Sequence, residues 1–350
     1  MSPEPTDRFV IAEKIAASKE RVAETVTAAL YPRHPEWLER YGERGRIVCS
    51  EDIRFHLGFL AGAIEAGSPE AFADYASWAS RMLASRSISA ASLGESFLEM
   101  ATQLRPVLSE SDLQQVSAVL ELGALACMQP AATPEREPQT ELRATQKIFL
   151  AAILNGDRKA ALNIAIEALR AGHVMVDIYV DVLAEALHEI GRLWEINRIS
   201  VAQEHIATAV TQYVTANLYV QLAPEGSTRG NMVVTGVAGE LHQIGANLVA
   251  DAMESKGWNV RFFGSNAPYH DVMRAILDSA ASVLCVSTTL VANLPATAQL
   301  IRSVRQQTSE RKLRIVLGGA AYRHCSDLDA VLDGPVEVMD LRSALAALCS

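Results

Sequence analysis

A chain of 350 residues with 49% hydrophobic residues is too long for one small core, so two or three domains are expected. The formal net charge of -10 argues against a surface built for phosphate backbones, and the first 150 residues carry 15 Lys and Arg against 21 Asp and Glu, which excludes a basic DNA-reading head there. Five scattered cysteines without a C-x-x-C pair read as reduced thiols, and neither a signal core nor a run of bilayer length is visible, so the expectation is a cytoplasmic protein with no membrane or nucleic-acid partner.

The pattern over residues 1–130 is helical throughout. In DIRFHLGFLAGAIEAG, Ile53, Leu57, Leu60 and Ile64 fall on one face, and Gly67 closes the run. Ser68 then stands as an N-cap with Pro69 at the first helical position. Residues 131–139, rich in proline and charge, read as a linker. Over 140–225 four helical runs are separated by Gly or short polar turns, which implies an antiparallel four-helix bundle. From 226 to 350 the period changes. Short β-rich runs (NMVVTGV, NVRFF, SVLCVS, LRIVLGG and VEVM) alternate with helices over 244–255, 269–279 and 292–307. This alternation predicts a parallel, doubly wound sheet of the Rossmann or flavodoxin kind, so the fold class is α plus α/β.

Ligands of such sheets sit beyond the carboxyl ends of the strands. His242, Ser287 and the pair Gly318-Gly319 all follow strand ends and should line one rim. A loop histidine presents a neutral nitrogen to a metal when a second group fixes its tautomer, and Glu240 is placed for that. Gly245 removes a side chain beside the ligand path. The bland readings are a surface histidine, a capping serine and a Gly-Gly turn.

The succession ELHQIG, VSTTL and LGGAAY resembles the cobalamin-binding flavodoxin-like domain, whose pattern is D-x-H-x-x-G, S-x-L and GG. The resemblance implies that His242 replaces the cofactor's own benzimidazole as the lower cobalt ligand. Glu240, Gln243, Ile244 and Gly245 would lie in the same loop and helix start. Ser287 would meet the benzimidazole tail beside Thr289, and Gly318 and Gly319 would wall it. Two departures stand out: Glu240 replaces the aspartate, so its bond to the histidine runs through a longer side chain or a water, and Thr289 replaces the leucine.

In the bundle, Trp194, followed after nine residues by Glu204 and His205, resembles the cap of light-sensing cobalamin receptors of the CarH type. There the three side chains lie against the adenosyl group of adenosylcobalamin. Glu195 follows Trp194 where those receptors carry a histidine that captures cobalt after illumination, so His205 or His188 would have to serve. The helical segment 1–130 is similar to globin-like and phycobiliprotein-like sensor domains. Its union with such a cap resembles the photocobilins, which implies a bilin such as biliverdin. Asp52 and His56, at i and i+4, would serve the pyrrole nitrogens, with Arg44, Arg46, Arg54, Tyr75 and Trp78 around them. Cys49 reads as a buried thiol rather than a thioether.

The expectation is a non-enzymatic light sensor that binds adenosylcobalamin and a bilin. It would signal through a downstream protein partner or a change of homo-oligomer. The alternatives are a corrinoid methyl carrier of a methyltransferase system and a light-independent cobalamin-gated scaffold.

Overall fold

The computed structural model describes residues 5–129, 141–222, 226, 229–308, 312–325 and 327–349. The linker expected at 131–139 lies outside them. The elements in chain order are α1 (Pro5–Leu30), α2 (Pro35–Ala66), α3 (Pro69–Ala84), α4 (Ala90–Leu104), α5 (Glu110–Met128), α6 (Arg143–Leu154), α7 (Arg158–Arg170) and α8 (Met175–Asp177). A π-helical stretch, Ile178–Ala184, joins α8 to α9 (Glu185–Glu195), and α10 (Val201–Tyr219) follows. Then come β1 (Gly230–Gly236), α11 (Ile244–Ser255), β2 (Trp258–Phe262), α12 (Tyr269–Ser279), β3 (Val283–Ser287), α13 (Leu294–Gln307), β4 (Arg314–Gly318), α14 (Leu328–Val331), β5 (Glu337–Val338) and α15 (Leu341–Cys349).

Contacts group the chain into two units. The first is Met1–Thr133 with Thr288–Arg305 and Ala320–Val336; the second is Pro134–Ser287 with Gln306–Gly319 and Glu337–Ser350. In the first unit, Ile53, Leu57, Leu60 and Ile64 of α2 are all buried, in the same core as Phe72, Phe97 and Met100. Helix α2 stops where Gly67 turns left-handed (φ 65°), and the Ser68 hydroxyl accepts the Ala71 N–H at 3.3 Å. The helix is kinked at Gly42 (φ 59°), a conformation only glycine adopts freely. Further along α2, Gly62 abuts the short turn Val291–Asn293: a Cβ there would stand 2.0 Å from the Val291 carbonyl oxygen. That contact draws the segment after β3 into the helical unit.

In the second unit, α6, α7, α9 and α10 bury Phe149, Tyr179, Leu183 and Val210 in one core, which extends to Leu248 and Ala252 of α11. Helix α10 opens with a capping box, Ser200 and Gln203 bonding each other's backbone N–H. The sheet order is β2-β1-β3-β4-β5, all parallel. Strands β1 and β3 are almost wholly buried, as a sheet covered on both faces requires, whereas β2 carries exposed Asn259 and Arg261 and forms an edge. This is the flavodoxin-like order, whose chain reverses direction between β1 and β3.

Candidate corrinoid site

At that reversal the ends of three strands stand in a row. Gly236 pairs with Ser287, and Ser287 with Gly318. Beyond β1 the chain turns through Gly239 (φ 84°), whose N–H donates to Asn266 Oδ1 at 2.9 Å. The turn brings Glu240 inward to full burial. Its Oε1 accepts both the His242 backbone N–H (3.0 Å) and His242 Nδ1–H (2.6 Å). Glutamate in place of the shorter acid therefore reaches the imidazole directly, with no need of an intervening water.

With Nδ1 bonded to a carboxylate, the neutral ring keeps its proton there and leaves the Nε2 lone pair for a metal. Nε2 has no hydrogen-bond partner among the described residues, and the His242 side chain is 55% exposed. The hydrogen bond to Glu240 raises the His242 pKa; burial opposes this, and the charges of Glu240 and Glu204 add to it. Glu204 belongs to α10, so the cap places a carboxylate within electrostatic reach of the rim histidine. A Cβ at Gly245 would meet nothing within 4 Å, so the space beside the first turn of α11 is open.

On the cap, Trp194 is partly buried against the bundle core. Glu204 accepts from the Thr208 hydroxyl at 3.0 Å and bonds His205 Nδ1, while His205 itself is 75% exposed. Glu195, in the position after Trp194, is buried. Gln243 and Ile244, expected beside the cobalt ligand, line a cleft between α10 and α11. Thr289 and the pair Asp52 and His56 belong to the first unit.

In the first unit the i, i+4 spacing does not give Asp52 and His56 equal access. His56 is 5% exposed, and its Nδ1 lies 2.6 Å from the Tyr75 hydroxyl; burial pushes its pKa down to about 3. Asp52 stays partly open, with its carboxyl pushed up to about 6 by burial. Phe59 stacks on Tyr75 with ring centroids 3.6 Å apart, and Trp78 lies 6.0 Å from the same ring. Burial raises the Cys49 thiol, in line with an unreactive side chain.

Sequence reasoning missed the polar group formed by Tyr179, Asn247, Asp251, Tyr219 and Glu254. The one available signal was Asp251 inside the apolar run ALA-ASP-ALA-MET of α11, a carboxylate on a core-facing helix.

Comparison with known proteins assigns the class. Residues 146–219 and residues 230–338 each match a family described as B12 binding domain. The chain is thus a corrinoid-binding protein, with a helical cap ahead of a parallel-sheet domain. Among curated relatives, dimethylamine corrinoid protein 1 of Methanosarcina acetivorans is 26% identical over 167 residues, covering 47% of this chain and 78% of that protein. The methionine synthase of Mycobacterium leprae is 28% identical over 115 residues, 32% of this chain and 10% of the enzyme. The solved monomethylamine corrinoid protein of Methanosarcina barkeri superimposes with a TM-score of 0.52 at 16% identity. It covers 59% of this chain and 98% of that one, and the likeness is one of fold.

Proposed function

We propose that this chain holds cobalamin with His242 on the lower face of cobalt and the cap residues Trp194, Glu204 and His205 toward the upper face. The observation that carries this is the buried Glu240 carboxylate fixing His242 Nδ1 and leaving Nε2 for a metal. Ser287, Gly318 and Gly319, on the strand ends beside the reversal of the sheet, would receive the nucleotide tail, and open space at Gly245 would admit it. Bound cobalamin would supply a cobalt–carbon bond; the protein would supply the nitrogen ligand, its tautomer and the walls.

What that bond serves has two readings. The relatives favour a methyl carrier that works with a methyltransferase, because the proteins of this kind that match are corrinoid proteins named for methylamines. The second reading is an adenosylcobalamin light sensor, favoured by the upper-face residues. A methyl group offers no hydrogen-bonding atoms, whereas the carboxylate of Glu204 and the imidazole of His205 would bond ribose or base and the indole of Trp194 would pack on them. A further helical domain over residues 1–130 also exceeds what a carrier of the solved kind contains, and a globin-like bilin-binding role for it belongs to this reading. There Asp52, within electrostatic reach of Tyr75, is the group left open for a tetrapyrrole.

One experiment separates these. Absorption spectra of the full chain and of His242→Ala, loaded with methylcobalamin or adenosylcobalamin, are recorded before and after illumination. A nitrogen-ligated cobalt spectrum that disappears in His242→Ala supports the common part, and an unchanged variant spectrum refutes it. Preference for adenosylcobalamin with a light-driven change of oligomeric state supports the sensor; equal binding with no such change supports the carrier.

A further inference from the structure

Between α10 and α11 the second unit holds a cleft of about 440 Å³. Asp251 and Asn247 of α11 lie in its floor, Val260 and Phe262 of the edge strand β2 form an apolar wall, and Tyr219 and Glu254 stand at its mouth. Among the described residues, no lysine, arginine or histidine lines it. Asp251 is only 8% exposed. Its Oδ2 accepts from the fully buried Tyr179 hydroxyl (3.3 Å) and from Asn247 Nδ2 (3.0 Å). Its Oδ1 takes no hydrogen bond among the described residues, though the residue lines the cleft.

Asp251 Oδ1 is not sealed from solvent, so a donor that enters the cleft can reach it. The Tyr179 and Asn247 bonds hold the carboxyl in one orientation, so the open oxygen is presented rather than merely left over. Three residues on, Glu254 adds a second carboxylate, fixed by the Tyr219 hydroxyl at 2.8 Å. Two acids, no compensating cation and an aromatic wall together select a ligand that is positive at one end and apolar at the other. An anion would be repelled, and a neutral group would leave the field of both carboxylates unanswered. A metal ion is a poor occupant, since no group of three suitable ligands occurs among the described residues.

We propose that this cleft binds a small protonated primary amine carried on an apolar stem, its ammonium donating to Asp251 Oδ1 and Glu254 and its stem lying along Val260 and Phe262. The inference does not depend on which group sits on the cobalt. Ammonium supplies three donors, enough for both carboxylates and for the side-chain oxygen of Asn247. Burial holds the Asp251 carboxyl up at about 6, so it is ionised at neutral pH and ready to pair with a cation.

Titration calorimetry of the full chain with 2-phenylethylammonium tests this, with 2-phenylethanol as the neutral analogue. The expected result is binding in the millimolar range or tighter, weakened about tenfold or more by Asp251→Asn and several-fold by Glu254→Gln, with the alcohol far weaker. No heat of binding with the amine, equal binding of the alcohol, or unchanged affinity in both variants overturns the proposal. Glu254→Gln, at the partly exposed mouth, decides the matter if Asp251→Asn does not fold.

Discussion

His242 and Glu240 act as a unit, and their separation by a single residue is what makes the unit work. The carboxylate closes on both the ring Nδ1–H and the backbone N–H of the same histidine, so ring orientation and loop shape are set together. Glu240→Gln keeps an acceptor but removes the charge. Cobalamin affinity is expected to fall about 10-fold to 100-fold, as for other partners of metal-bound histidines, while the folded state persists. Circular dichroism with a cobalamin titration checks both halves, and an affinity equal to wild type counts against the pairing. In the first unit, His56 and Asp52 pull the pH dependence of stability in opposite directions. The unfolded chain protonates His56 below about 6.5 while the folded chain resists until about 3, so His56 costs stability as pH falls through that window. Asp52 has a folded pKa raised to about 6, so the folded state takes up its proton first and gains stability between about 6 and 4 on acidification. Asp52→Asn removes the compensating half. Its unfolding free energy is expected to drop more steeply than wild type between pH 6.5 and 4.5, by about 1–2 kcal/mol in denaturant titrations; parallel curves would show that the two groups do not offset each other.

At the scale of elements, α2 shows how a helix can be soft in sequence and rigid in place. Gly58 and Gly62 are poor helix formers, yet they let α2 approach the turn Val291–Asn293. A side chain at Gly62 would drive into a backbone carbonyl, which cannot swing aside as a side chain does. Gly62→Val is expected to destabilise the protein by about 1–3 kcal/mol, lowering the thermal midpoint by several degrees. A variant with an unchanged midpoint would mean that this approach is looser than described. The π-helical stretch Ile178–Ala184 is a second device of this kind. It sits where Asp177 and Asp181 both accept from Arg342 of α15, at 2.8 and 2.7 Å, tying the cap to the end of the chain.

At the scale of the molecule, the division by contacts is not the division by sequence order. Segments 288–305 and 320–336 group with the helical unit although the strands that flank them group with the cap. Within the first unit, Arg302 of α13 faces Glu65 of α2 at 3.4 Å and lies 4.4 Å over the Phe9 ring. A chain starting at residue 139 would lose this packing while keeping both B12 binding domains. It is expected to melt at a lower temperature than the full chain and to bind cobalamin less tightly, by calorimetry of the two proteins. Equal midpoints would show that the segments hold their place without the helices.

The sequence by itself determined the periods and the punctuation. The helices Ile244–Ser255 and Tyr269–Ser279, the end of α2 at Gly67 and the cap at Ser68 were all legible, because backbone geometry and local capping depend on neighbours a few residues away. The rim was legible too, since in a parallel sheet the strand ends that gather are the ones that chain order predicts. Only the tertiary structure decided the rest. It sent His56 into the core and left Asp52 open, a choice that spacing alone treats as equal. It set Asp251 on the hydroxyl of Tyr179, 72 residues away in the chain, and joined the segment after β3 to α2. Each of these is a contact between distant residues, fixed by which surfaces bury best together rather than by any local pattern.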